Sequence, residues 1–426
     1  MSGGAEAQGA AAPHRPATGT AGSAGSYPAL LVLATLVAAA VFGSRPLISY
    51  KALALGAGTV EIGLVASAFA LFAILASIPV GRLVDRTGER PIVLTGTLVI
   101  AVGCLVGLLA PSTAWLAVSQ SALGLGQLMV VVGSHAVLAY RGDTARRDER
   151  IAIYVTFVSV GHSAGPGLAG VLADPAVIAN GQAVFFTAAI VATLIAAVLA
   201  SRLPSGPGRL ADGGSTPDSP PSMRRTLGRL PMRQALAGSI ATLAAIDLLI
   251  AYLPVFGTER GLAPTVIGIM LGTLGLSQLV SRLFMARLIR TFGHVRILLG
   301  AMALPALLIP LLAVLTQEAL LVGLMVPVGL SLGLGQPMTL ALVARAADPG
   351  GQGLAMGMRL AGNRFGQLTI PVLVGATAGQ LGSSGIMIAV GGILGAASVY
   401  LVGRGARPGG GQPPQRRVFA QSQEDA

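Results

Sequence analysis

Apolar and polar residues along this chain fall into long alternating blocks, with little of the short-period mixing of a water-soluble domain. Twelve apolar segments can be marked, at 28–48, 60–80, 91–110, 115–139, 151–172, 182–200, 234–255, 265–285, 296–315, 319–343, 356–378 and 384–402. Each is close to the roughly 20 residues that cross a bilayer's hydrocarbon layer as a helix. The ten-residue alternating strands of a membrane barrel are missing. The pattern predicts an all-α integral membrane protein with twelve transmembrane helices. Residues 1–27 and 403–426, poor in apolar side chains, read as flexible tails, and the first span reads as retained rather than cleaved. Residues 201–233 are rich in Pro, Gly, Ser and Arg and read as a linker between two six-helix bundles, 28–200 and 234–402.

Composition sharpens the membrane reading. Hydrophobic residues make up 53% of 426 and charged residues 10%, against about 25% charged in a soluble domain. Gly, at 59 residues, is about twice as frequent as usual, as expected where helix backbones approach closely in lipid. Cys104 is the one cysteine, so no intramolecular disulfide is possible. Twenty-two arginines fall on one side of the twelve-span arrangement, while only Arg45, Lys51 and Arg260 fall on the other. By the positive-inside rule both termini are then cytoplasmic. The net charge of +12 therefore reflects orientation and attraction to anionic lipid, not nucleic acid.

The two sets of six spans are related at an offset of 205 residues. Gly56 meets Gly261, Gly63 meets Gly268, Arg82 meets Arg287 and Gly88 meets Gly293; later, Gly161 meets Gly366, Pro166 meets Pro371 and Gly170 meets Gly375. A Gly-Leu-Gly-Gln string recurs at 124–127 and 333–336, four residues out of that register. The order of these coincidences suggests a duplicated six-helix unit.

After the second span comes Gly81-Arg-Leu-Val-Asp85-Arg86-Thr-Gly88-Glu-Arg90, which resembles the G-x-x-x-D-R-x-G-R-R loop signature of the major facilitator superfamily. Glu89 stands where the family usually has a basic residue. Gly81 and Gly88 would allow close approach and a sharp turn, and Asp85 could accept from a helix start or an arginine. In the fifth span, Gly161-x-x-x-Gly165-Pro166-x-x-x-Gly170 resembles the motif of the family's antiporters, which favours efflux. The fourth span resembles another family pattern in Gly124 and Gly126, but Gln120 replaces the arginine associated with proton coupling. The resemblance covers residues 28–402 and implies two pseudo-symmetric bundles around a central cavity that opens alternately to each side.

Of sixteen acids only Asp247 lies well inside a span, a costly placement that suggests function. It falls about one helical turn in depth from Arg45, so Asp247 either exchanges protons or pairs with Arg45 in an outer gate; a static packing bridge is the competing reading. Arg359, Asn363 and Arg364 open the eleventh span near its cytoplasmic end. Arg359 could meet Asp85 across the bundles, or these cations could hold an anionic cargo, or snorkel to headgroups. Gln120, Gln127 and Gln336 are candidates for the cavity lining. No nucleotide loop, metal cluster or nucleophile constellation occurs, so neither an enzyme nor a cofactor is expected. The expected activity is proton-coupled export of a drug, siderophore or metabolite by a monomer of the inner membrane. Proton-coupled uptake of an organic anion or other nutrient is the alternative.

Overall fold

The computed structural model describes residues 26–140, 147–203, 223–347, 352–378 and 382–402. The predicted tails, apart from Ser26 and Tyr27, and most of the predicted linker lie outside these residues; Ser26 and Tyr27 open the first helix, and 223–228 and 230–233 of the linker are helical. The described chain is helical and contains no strand. The first half comprises α1 (Ser26–Ala54), α2 (Thr59–Thr87), α3 (Glu89–Leu109), α4 (Thr113–Tyr140), α5 (Arg147–Ala173) and α6 (Gly181–Ala200). A short α7 (Met223–Gly228) precedes the second half, formed by α8 (Leu230–Glu259), α9 (Pro264–Leu283), α10 (Met285–Phe292), α11 (His294–Leu308), α12 (Glu318–Ala346), α13 (Gln352–Ala378) and α14 (Gly382–Val402).

Eleven of these helices are long and apolar enough to cross a membrane. The predicted eleventh span, α13, is long enough, but Arg359, Asn363, Arg364 and Gln367 make it the polar helix of the set. The predicted ninth span is continuous but changes its helical form: α11 carries Pro305 and passes at Ile309–Ala313 into a 3-10 turn that contains Pro310. Proline removes a backbone donor and cannot continue the regular ladder. Large apolar side chains such as Leu75, Ile78, Val102, Leu307 and Val399 point outward, as lipid rather than water requires.

Helices α1 and α8 lie deepest. Phe42–Tyr50 of α1 and Asp247–Gly257 of α8 are buried residue after residue, the mark of a helix surrounded on every side. They pack against each other at the centre, while α5 meets α9 and α2 meets α13 at the two flanks.

The halves repeat in geometry as well as in sequence. Gly56 and Gly261 have φ of +82° and +68°, and Gly88 and Gly293 have φ of +87° and +79°. With ψ of 175° and 157°, Gly88 and Gly293 occupy a region that is essentially glycine-only and costs other residues about 1–3 kcal/mol. Gly88→Ala and Gly293→Ala should each cost about that much stability and so lower the midpoint of thermal unfolding; an unchanged midpoint for both would remove the turn argument. The close approach expected at Gly81 is not seen: a side chain there would meet open space. Nor is 81–87 a loop. It forms the last turns of α2, and Gly88 alone makes the reversal into α3.

Candidate functional site

Two faces of the helix array can be distinguished. The terminal face carries Ser26 and Val402, and the far face carries the 55–58, 174–180 and 260–263 connections. Close to the far face the halves are locked together by glycines. A side chain on Gly170 would put its first carbon 2.1 Å from the Gly268 Cα and 3.0 Å from the Pro264 carbonyl; one on Gly375 would lie 2.7 Å from the Thr59 carbonyl. Pro264 and Thr59, like Gly170 and Gly375, are 205 residues apart, so the two flanks make the same contact. On the α2 flank Tyr252 of α8 fills the seam, and its hydroxyl donates to Thr59 O at 3.0 Å and Pro371 O at 3.1 Å. On the α5 flank the Thr265 hydroxyl donates to Asp174 Oδ2 at 2.8 Å. That bond, with one from the Ala176 amide, holds the Asp174 carboxyl below the usual carboxylate range.

The antiporter-like residues divide between two partners. Gly161 and Gly165 lie against the α1 backbone at Thr35 and Ala39, while Gly170 faces α9. Pro166 borders a small void of about 30 Å³ with Phe42, His162 and Gln278, room for about one water. The motif therefore seats α5 on its own half and closes it against the other.

Beneath this seal lies a polar chain that crosses the halves. Arg45 Nη1 donates to Asp247 Oδ1 at 2.5 Å, and both side chains are almost completely buried. Gln367 Nε2 donates to Asp247 Oδ2 at 2.6 Å, and Arg364 Nη1 donates to Gln367 Oε1 at 3.0 Å. The Arg45 guanidinium also lies 4.4 Å from the centre of the Phe69 ring, a cation–π contact that eases its burial. Three helices, α1, α8 and α13, thus converge on one carboxylate. Arg45 Nε has no hydrogen-bond partner. Protonating Asp247 would remove the charge that holds Arg45 across the seam.

Other anticipated residues fall elsewhere. Arg359 does not reach toward Asp85. Its Nη2 donates within its own half to Gln336 Oε1 at 2.7 Å and to Gln336 O at 3.2 Å, because Gln336 of α12 lies beside it whereas Asp85 ends α2. Asp85 is exposed and has an interaction of its own. Arg86 is exposed, and Arg90 is half-buried at the start of α3. Gln336 Nε2 donates to Ser239 O of α8 at 3.1 Å. Asn363 and Gln120 are buried with Oδ1 and Oε1 unpartnered, and Gln127 is half-buried. Neither Gln120 nor Gln127 joins the polar chain around Asp247.

Three participants were not singled out by sequence reasoning. Tyr252 and Phe69 were indistinguishable from core aromatics. Arg282 was readable as a lone arginine near the end of an apolar span, where snorkelling is the ordinary expectation. In the structure it turns inward: Nη1 donates to Ser159 Oγ at 2.6 Å and Nε to Gly333 O at 3.3 Å, both partners midway along their helices. Among the described residues no cluster of His, Cys, Asp and Glu could hold a metal ion.

The sequence model of the Major Facilitator Superfamily matches residues 30–264 and 235–424. An uncharacterised transporter of this superfamily from Methanocaldococcus jannaschii is 29% identical over 129 residues, which is 30% of this chain and only 33% of that relative's length. Three solved structures share the fold. A bacterial homologue of the human lysosomal transporter Spinster, caught inward-facing and unoccupied, has a TM-score of 0.69 at 14% identity over 90% of this chain and 96% of its own. The nucleoside transporter NupG gives 0.73 at 13% identity, covering 89% and 99%. The human organic anion transporter MFSD10 gives 0.63 at 18%, covering 88% and 99%. With matches that run from residue 30 to 424 and a fold shared with transporters, this chain belongs to the Major Facilitator Superfamily.

Proposed function

We propose that this transporter exports a small organic molecule in exchange for protons, and that the Arg45–Asp247 pair is its outer gate. The observation that carries the reading is the pair itself: one intramembrane carboxylate, buried below the far-face seal, ties α1 of one half to α8 of the other and accepts from α13. A proton on Asp247 removes one of the ties between the halves, which gives proton binding a direct effect on closure. The arginine asymmetry supports a cytoplasmic terminal face in the inner membrane. The structure then represents an outward-closed state, with the six-helix units 28–200 and 234–402 rocking about the α1–α8 contact. The antiporter-like motif at the seal favours export over uptake.

The test is uptake into inverted vesicles under an imposed pH gradient, with a mixed panel of labelled drugs, siderophores and organic acids. Export predicts gradient-driven accumulation of a panel member. Accumulation seen only in right-side-out vesicles would overturn export and favour the uptake reading.

A further inference from the structure

Among the described residues, Arg45, Arg282, Arg359 and Arg364 and the carboxyl of Asp247 make their bonds inside the helix array. Asp247 is engaged by Arg45 and Gln367. Among the described residues Arg282 and Arg359 have no acidic partner; their bonds go to a hydroxyl, backbone carbonyls and an amide. Both anchor on the same stretch of α12. Arg282 Nε donates to the carbonyl of Gly333 and Arg359 Nη2 to that of Gln336, two groups three residues apart and therefore on one helix face. That stretch is the Gly-Leu-Gly-Gln string, and Gly333 permits the contact with α9, since a side chain there would run into Gln278 and Ser281.

Each of these cations carries a desolvation cost that neutral partners offset only in part. Snorkelling does not explain them, because both guanidiniums turn toward the middle of the array. Arg359 is 9% exposed, and its Nε has no partner. We infer that Arg282 and Arg359 form a two-guanidinium clamp for the anionic group of the cargo, a carboxylate or a phosphate ester, with Gln336 and Ser159 fixing their orientation. A planar guanidinium fork suits both oxyanions. The inference rests on the transport reading and adds its substrate class. Arg45 is not part of the clamp, because Asp247 already neutralises it.

The test uses the purified full-length chain and a panel of aromatic carboxylates and phosphate monoesters, each beside its neutral amide or alcohol and its cationic amine counterpart. Thermal unfolding midpoints are measured against ligand concentration. At least one anion should stabilise wild type where its neutral and cationic counterparts do not. Arg282→Gln and Arg359→Gln should each weaken that binding about tenfold or more, and Arg359→Lys should weaken it less than Arg359→Gln. Stabilisation by neutral or cationic members alone, no stabilisation by any anion, or equal anion binding in both glutamine variants would each overturn the clamp. Variants are compared only where size-exclusion profiles match wild type; if neither glutamine variant qualifies, Arg282→Lys and Arg359→Lys decide, and equal anion binding in both overturns the clamp. Vesicle transport separates the two readings: neutral or cationic panel members driven by the gradient would leave export standing and remove the clamp, whereas a bound anion with no transport of any panel member would do the reverse.

Discussion

Asp247→Asn should abolish gradient-driven transport and at the same time lower stability. The amide keeps the size of the carboxyl but not its charge, so Arg45, 3% exposed, would be left buried without a counter-charge. Breaking a buried ion pair from one side costs about 3–5 kcal/mol. The double variant Arg45→Gln with Asp247→Asn removes both charges and should recover most of that stability, since the unpaired cation causes the loss. Transport should not recover, because nothing remains to take up the proton. Measuring all four proteins gives a coupling energy for the pair. If the double variant transported like wild type under the pH gradient, the pair would be a packing device and the gate would have to be sought elsewhere.

Gly170→Val should leave the protein folded but unable to seal its far face. The first added carbon alone would sit 2.1 Å from the Gly268 backbone, where carbon atoms at rest lie about 3.5–4 Å apart. Neither neighbour is a side chain that could swing away, so α5 and α9 must separate. Moving a two-state equilibrium from 99:1 to 1:99 takes about 5.5 kcal/mol, and a backbone collision of this depth is enough to empty the sealed state. Transport should fall at least about tenfold while expression and helix content persist. A cysteine placed at Thr265, at the seal, should react faster with a water-soluble maleimide in the Gly170→Val background than without it. Native Cys104, fully buried, should stay unreactive in both. Equal labelling rates with transport intact would show that the glycine contact is not a seal.

Span length and charge placement made the fold legible, because lipid leaves a chain few alternatives to long helices. The exceptions are local and physical. The signature after the second span looked like a loop from its polar residues, yet α2 simply runs on through Thr87 until Gly88 turns it. Pro305 and Pro310 gave the only warning that the ninth span would change its helical form near its end. At the site, the proximity of Arg45 and Asp247 was readable from depth alone, since α1 and α8 occupy equivalent places in the two halves. The partner of Arg359 was not, because which arginine reaches which amide depends on helix rotation, and one-dimensional spacing does not encode rotation between helices. Arg282 escaped for the same reason: its direction, inward rather than toward the headgroups, is set by Ser159 and Gly333, distant in sequence.

The paired turns at Gly88 and Gly293, and the paired contacts of Gly170 and Gly375, explain how a fold can outlast its sequence. Lipid-facing positions accept almost any apolar side chain, so they drift. The few places where backbone meets backbone or reverses direction leave room for little but glycine. Such a chain stores its architecture as punctuation rather than vocabulary. That economy fits a fold shared with transporters at 13–18% identity over nearly nine-tenths of its length, and it directs comparison of distant relatives to the spacing between glycines rather than to matching letters.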